Sequence, residues 1–103
     1  MSITAKIVSG ITLKSQMRIR YKEEKQINEY TIQPHLFGKL KSTNNLALSG
    51  YDVSGVKASW KTFLLNKILS AEITDKSFDA VAPNYNPQDS RMETIISSVP
   101  PAE

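Results

Sequence analysis

Two stretches near the start of the chain alternate apolar and polar side chains, the pattern typical of β-strands with one buried face. Met17 and Ile19 alternate with arginines in the first stretch, and Tyr30 and Ile32 alternate with polar residues in the second. The polar residues 23–26 between them predict a hairpin turn. The register that pairs Met17 with Ile32 and Ile19 with Tyr30 keeps both faces chemically uniform, whereas a slip of one residue would mix them.

Further apolar stretches predict three more strands, over residues 46–52, 60–65 and 68–74. Pro34 lacks a backbone donor, so we expect it to end or bend the second strand, with a shorter extended piece following it. We expect the backbone to kink near Gly38. The chain therefore contains about five short strands.

Two segments have helical spacing of their apolar residues. Residues 2–14 carry isoleucines four residues apart, which predicts a short N-terminal helix. Asn86 and the proline that follows it resemble a helix start, and residues 87–99 are predicted to form a C-terminal amphipathic helix, with the last three residues of the chain frayed. The apolar face of that helix, at positions i, i+3, i+4 and i+7, consists of Met92, Ile95, Ile96 and Val99.

The length of 103 residues sets the fold class, because a chain of this size builds one hydrophobic core. Short strands with a helix at each end predict a mainly β, α+β domain over residues 1–103. Its expected architecture is a small five-stranded SH3-like or Sm-like barrel. The longest apolar runs are far shorter than the ~20 residues of a membrane span, and we expect a cytoplasmic protein.

Several chemistries are excluded by residues that the chain lacks. It has no cysteine, which excludes disulfides, thiolate metal sites and cysteine nucleophiles. Its four glycines do not have the spacing of a phosphate-binding loop, and its carboxylates form no calcium loop or paired-acid motif. We therefore expect no metal, no cofactor and no enzymatic activity.

The remaining candidates are basic and aromatic side chains. Thirteen Lys and Arg against ten Asp and Glu give a formal charge of +3, which permits anionic partners. Cations on neighbouring strands could receive phosphate, aromatic rings could stack a base, and a histidine could donate a hydrogen bond. The candidate ligand-binding residues are Arg18, His35, Lys39, Tyr51, Trp60, Lys61 and Phe63.

Each candidate also has a structural alternative. The cations could form a solvated polar face. His35, the only histidine, could bond to backbone at a strand bend, contact a ligand or act as a general base. Trp60 and Phe63 could both belong to the core, although side chains alternate between the two faces of a strand.

Four runs of the chain, in this order and spacing, resemble the WYL domain family. They are MRIRY (17–21), YTIQPHLFG (30–38), LALSGYD (46–52) and WKTFLLNKI (60–68). The resemblance covers residues 5–79, and residues 85–92 look like the tail of small stand-alone relatives. Residues 46–48 depart from the family's Trp-Tyr-Leu, and Leu64 stands where the family often has an arginine.

The resemblance implies an SH3-like barrel that senses a ligand, with nucleotides or nucleic acids as the favoured class. It also implies a stand-alone module with a regulatory role, or a role in bacterial or phage defence. Our first hypothesis is therefore a non-enzymatic module that binds a nucleotide or single-stranded nucleic acid. The alternative is a protein-protein interaction module or a homo-oligomeric accessory protein.

Overall fold

A computed structural model describes residues 2–100 of the chain. One antiparallel sheet has the strand order β4-β3-β2-β1-β5, and the sixth strand pairs with β2. The expected fraying of the last three residues lies outside the described part. The elements in chain order are α1 (Ile3–Leu13), β1 (Ser15–Glu23), β2 (Gln26–Leu40), β3 (Leu46–Asp52), β4 (Ser59–Leu64), a 3-10 turn (Leu65–Lys67), β5 (Ile68–Ser77) and β6 (Met92–Ser98).

The hairpin of β1 and β2 has the register that the alternation predicts. Met17 pairs with Ile32, and Ile19 pairs with Tyr30. Met17, Ile19 and Ile32 are fully buried, whereas the arginines between the buried residues of β1 are exposed. The hydrophobic pattern alone therefore determines this register, because any other pairing would expose apolar side chains.

Strand β2 does not end at Pro34 but continues to Leu40 with a β-bulge at His35. Pro34 pairs with Gly50 of β3 and Leu36 pairs with Ser49, so His35 is the extra residue. The insertion reverses the alternation of the strand. As a result Ile32 and Phe37, five residues apart, are both fully buried in the core.

The predicted C-terminal helix over residues 87–99 is wrong, because this part of the chain forms strand β6. Asn86 does not cap a helix; its Oδ1 accepts from the Gln88 N–H in a turn. The segment is rich in β-branched residues, which suit a strand. In addition, the second half of β2, beyond its pairing with β1, has a free side where β6 forms a ladder from Leu36 to Leu40.

Gly38 allows this ladder to form. A Cβ at position 38 would overlap the carbonyl oxygen of Thr94 and lie 3.1 Å from the Cα of Ile95. The two backbones approach more closely here than any side chain permits.

The sheet is open, which corrects the prediction of a closed five-stranded barrel. The 3-10 turn leads the chain from β4 to β5, and within residues 2–100 no ladder joins these two edge strands. Side chains instead connect β4 with β1. The Leu64 N–H donates to Tyr21 Oη at 2.9 Å, and the rings of Tyr21 and Phe63 are 5.0 Å apart.

Helix α1 packs on the sheet and completes the core, as its isoleucine stripe predicts. Ile7 and Ile11 are buried against residues of β1 and β2. Ser2 caps the helix by accepting from the Ala5 N–H, and Lys14 ends it in a left-handed conformation. In the described part of the chain, no helix has the length and apolar character needed to cross a membrane.

Candidate functional site

A cavity of about 200 Å³ lies between the sheet and the segment that leads into β6. Side chains alternate along β4, so Trp60 and Thr62 point to this side while Phe63 points into the core. Residues 84–91, which are rich in turns, supply much of the remaining lining. The lining residues are Leu36, Ser49, Trp60, Thr62, Asn84, Tyr85, Asn86, Asp89 and Arg91.

An aromatic cluster around the bulge residue His35 supports one wall of the cavity. The imidazole is fully buried and stacks on Phe78 at a centroid distance of 5.1 Å. The rings of Trp60 and Tyr85 meet its edges at 5.0 and 4.9 Å. Phe78 is buried and anchors the connection after β5 to the core, as predicted.

Both nitrogens of His35 bond to backbone groups. Nδ1 lies 2.8 Å from the carbonyl of Gln33, and the Ala82 N–H donates to Nε2 at 3.1 Å. A carbonyl requires a donor and an N–H requires an acceptor, so the ring is the neutral tautomer protonated at Nδ1. Burial lowers the pKa of His35, partly opposed by the hydrogen bond to Gln33. His35 does not line the cavity, but it packs against Trp60 and Tyr85 and so positions their rings.

Hydrogen bonds to backbone carbonyls hold the side chains of Trp60 and Tyr85 in place. Trp60 Nε1–H donates to the Pro83 carbonyl at 2.7 Å, and the Tyr85 hydroxyl donates to the Val99 carbonyl at 2.6 Å. Burial raises the pKa of Tyr85, partly opposed by hydrogen bonds to Ser98 and to the Val99 backbone. The two rings stack on each other at 6.1 Å and 19°. The cavity therefore has a preformed aromatic wall.

Arg91 supplies the cationic group of the cavity. Its Nε and Nη2 donate to the Asp89 carboxylate, with Nη2 at 2.7 Å, and its Nη1 donates to Thr62 Oγ1 at 3.2 Å. The hydrogen bonds from Arg91 keep the pKa of Asp89 below its usual value, and those to Asp89 raise the pKa of Arg91. The pair is thus fully ionised, and its net charge is close to zero.

The structure does not bring the predicted cations together. Arg18 forms an ion pair with Glu72, at 3.2 Å, on the outer face of β1 and β5. Lys39 forms one with Glu93, at 3.3 Å, where β2 meets β6. Lys61 lies 5.4 Å from the centroid of the Tyr30 ring. Among the cavity-lining residues we find none of the three, so the predicted cationic patch is not what surrounds this cavity.

The predicted aromatic residues divide between the two faces of the sheet. Trp60 lines the cavity, and Tyr51 packs behind it with its ring 5.4 Å away. Phe63 is 2% exposed and packs against Tyr21 and Tyr30 in the core, so it offers no surface to a ligand. This corrects its assignment as a stacking residue, since the alternation of β4 allows only one of Trp60 and Phe63 to face outward.

The chain resembles known proteins in its fold. Among solved structures, proteasome accessory factor B/C (PafBC) of Arthrobacter aurescens is similar to it, with a TM-score of 0.67 and 25% sequence identity. The similarity covers 82% of this chain, which spans only 13% of the length of PafBC. PafBC contains a WYL domain. This chain has a WYL-like fold. No protein-family model matches the chain, and no curated protein matches it.

Sequence reasoning missed the residues of the covering segment, chiefly Tyr85 and Arg91. The sequence analysis predicted a helix over residues 87–99 and gave Arg91 no role in binding. The signal that was available is the run Asn86 to Arg91, in which two side-chain carboxamide or carboxylate groups accept from the backbone two residues later. Such turns form a rigid loop. Within residues 2–100, no three His, Asp or Glu side chains are placed to hold a metal ion.

Proposed function

We propose that this chain is a non-enzymatic binding module that holds one base of a nucleotide or of single-stranded nucleic acid in the cavity. The observation that carries the proposal is the aromatic wall of Trp60 and Tyr85 in a cavity that Arg91 also lines. A base stacks on aromatic rings, and its polar edge requires hydrogen-bonding groups of the kind that also line the cavity. The WYL-like fold and the similarity to PafBC support a regulatory role related to nucleic acid.

The size and charge of the cavity favour a base over a phosphate group. Its volume of about 200 Å³ is below the ~300–1,000 Å³ of sites for drug-sized ligands, so it suits a single ring system. Asp89 neutralises Arg91 at 2.7 Å, which weakens attraction for an anion. Arg18, Lys39 and Lys61 lie outside the cavity and contribute to binding only through the general positive charge of the protein.

Quenching of tryptophan fluorescence tests this proposal directly, because Trp60 is the single tryptophan of the chain. Titration with nucleoside monophosphates and with a short mixed-sequence single-stranded oligonucleotide is expected to quench Trp60 in a saturable way. Arg91→Ala is expected to weaken binding, and the matched control Arg18→Ala, which removes a cation outside the cavity, is expected to leave affinity within about twofold. Unchanged fluorescence with every nucleotide and oligonucleotide would refute the proposal.

Salt dependence separates base binding from binding of the phosphate backbone. A site that holds a base predicts only a shallow decrease in affinity between low and physiological salt. Neutralisation of several phosphates predicts a steep one, since each phosphate contact contributes nearly one unit to the slope of log affinity against log salt.

A second candidate function, self-association, is favoured by strand β6. This strand pairs with β2, and it exposes Ile95 and Ile96, which are 39% and 50% accessible. An antiparallel edge strand can pair with the same strand of a second copy across a two-fold axis. Light scattering during size exclusion would detect a dimer, and Ile96→Lys is expected to dissociate it; a monomer at all concentrations would contradict this candidate.

A further inference from the structure

The guanidinium of Arg91 is held in one orientation by two neighbours. Asp89 accepts from Nε and Nη2 along one side of the fork, and Thr62 accepts from Nη1. A guanidinium has five N–H groups, and these contacts use three of them. One N–H on each terminal nitrogen remains without an acceptor among the residues that the structure describes, and the side chain is 56% exposed at the cavity.

The free N–H of Nη2 lies at the end of the fork, because Asp89 occupies the Nε side. Together with an N–H of Nη1 at the same end, it would select a ligand with two adjacent acceptors in one plane. Among the nucleobases, guanine has such a pair in O6 and N7. Adenine has a donor next to N7, and it would present an N–H to an N–H. Cytosine also has two adjacent acceptors, O2 and N3, but its single ring covers less of the aromatic wall than a purine does. In thymine and uracil the ring nitrogens next to the carbonyl groups carry a proton or the sugar.

We propose that the cavity is selective for guanine, with Arg91 donating to O6 and N7 while the ring packs against the aromatic wall. This inference rests on the proposed function and adds the identity of the base. Asp89 is a positioning residue, because it fixes the fork of Arg91. Its negative charge, 2.7 Å from Nη2, also disfavours the competing arrangement in which a phosphate or carboxylate occupies the same two donors.

The surroundings of Arg91 support the orientation of the base. Thr62 lies on β4 two residues after Trp60, so both side chains project from the same face of one strand. Arg91 bonds to Thr62, and its guanidinium is therefore fixed relative to the indole. Asn84 and Asn86 line the remaining part of the cavity and offer amide groups to the other edges of the base.

Four purine-like nucleosides provide the test: guanosine, adenosine, inosine and the 7-deaza analogue of guanosine. The fluorescence of Trp60 is the readout. Guanosine is expected to bind about 10- to 100-fold more tightly than adenosine. Inosine, which keeps O6 and N7, is expected to bind like guanosine. The 7-deaza analogue of guanosine, which lacks the N7 acceptor, is expected to lose most of that advantage. Equal affinities for all four nucleosides would overturn the inference while leaving the proposed function intact.

Two variants test the roles of Arg91 and Asp89. Arg91→Lys keeps the charge but replaces the planar fork, and it is expected to bring the affinities for guanosine and 7-deazaguanosine within about twofold of each other. Asp89→Asn is expected to reduce the same ratio, a readout that a merely structural role of Asp89 would not change. Arg18→Lys is the matched control and is expected to keep the full ratio.

The outcomes separate the two levels of the proposal. A wild-type preference for guanosine that persists in Arg91→Lys would overturn the assignment to Arg91. Absence of quenching by any nucleoside or oligonucleotide would overturn the proposed function and this inference together. A circular dichroism spectrum and an unfolding midpoint for each variant identify loss of binding that results from unfolding, and in that case the decision rests on the wild-type comparison of guanosine with its 7-deaza analogue.

Discussion

Strand β4 separates two aromatic clusters that differ in how their rings are held. The core cluster, Tyr21, Tyr30 and Phe63, packs edge to face at centroid distances of 5.0 and 5.3 Å around a Phe63 that has no polar atom in its side chain. The cavity cluster, His35, Trp60 and Tyr85, is also closely packed. Each of these three side chains, however, forms a hydrogen bond with a backbone group of residues 82–99.

The difference shows how one strand serves both stability and binding. The core cluster joins β1, β2 and β4, so its loss affects the whole fold. The cavity cluster attaches residues 82–99 to the sheet, so its loss affects mainly the shape of the cavity. In the cavity cluster, hydrogen bonds to backbone carbonyls keep Trp60 and Tyr85 in fixed orientations at the surface.

The largest effect is expected from Phe63→Ala in the core cluster. Removing a fully buried phenyl ring leaves a cavity between the two tyrosines and costs about 3–5 kcal/mol of unfolding free energy. Urea denaturation measures this loss. A cost below about 1 kcal/mol would show that the core cluster is not a centre of stability.

A smaller effect is expected from His35→Leu in the cavity cluster. The variant replaces the imidazole with an apolar side chain, which leaves the Ala82 N–H and the Gln33 carbonyl without this partner. Buried unsatisfied groups of this kind cost about 1–3 kcal/mol. We expect nucleotide quenching of Trp60 to weaken as well, whereas Phe63→Ala, measured under conditions where it is folded, should retain it. Loss of quenching in both variants would show that the two clusters are not separable.

The stability of the protein is expected to decrease as the pH falls through about 6.5, the usual pKa of histidine. The folded protein lowers the pKa of His35, so the unfolded chain takes up the proton first. The contribution of neutral His35 is complete above that pH and is lost on acidification. Urea midpoints at about pH 7.5 and 5.5 measure it, and the difference should be absent in His35→Leu. The carboxyl groups of Glu23 and Asp89 have lowered pKa values and titrate below this window. An equal acid shift in both proteins would contradict the prediction.

The smallest effect concerns the rim of the core cluster, where Tyr30 donates a hydrogen bond to Glu23. This bond to the carboxylate raises the pKa of Tyr30 to about 12. Tyr30 is expected to remain largely protonated at about pH 11. Its contribution to stability is complete below about pH 10, where the unfolded chain is also protonated, and it is lost as the pH rises to about 12. Tyrosinate absorbance against pH measures this, with Tyr30→Phe identifying the residue. Glu23→Gln should return the pKa towards its usual value, and an unchanged titration in that variant would show that the Glu23 carboxylate does not cause the shift.

Local patterns determined the first half of the fold, and a non-local contact determined the end. The hairpin register follows from alternation, and the bounds of β3 agree with the predicted 46–52 because turn residues delimit it on both sides. The spacing of Met92, Ile95, Ile96 and Val99 is that of a helix, and in a strand it divides these residues between the two faces. The outcome depends on the free side of β2, which is distant in sequence and cannot be seen in a local pattern.

The candidate site was predictable only in part for the same reason. Alternation along β4 predicts that only one of Trp60 and Phe63 faces outward, and the structure shows that it is Trp60. Arg91 and Tyr85 reach the cavity because their segment folds back over β4. The predicted cations failed to converge because strands β1, β2 and β4 direct them to separate surfaces, where Glu72, Glu93 and the Tyr30 ring engage them.

The β-bulge at His35 fixes the number of residues in β2, because it sets which side chains beyond it face the core. Deletion of a single residue there would rotate everything beyond it by half a turn, so that Phe37 would point into solvent and Gly38 would no longer face Thr94. Homologous chains that differ by one residue at this point are therefore expected to lack the terminal strand altogether, and with it the loop that closes over the tryptophan.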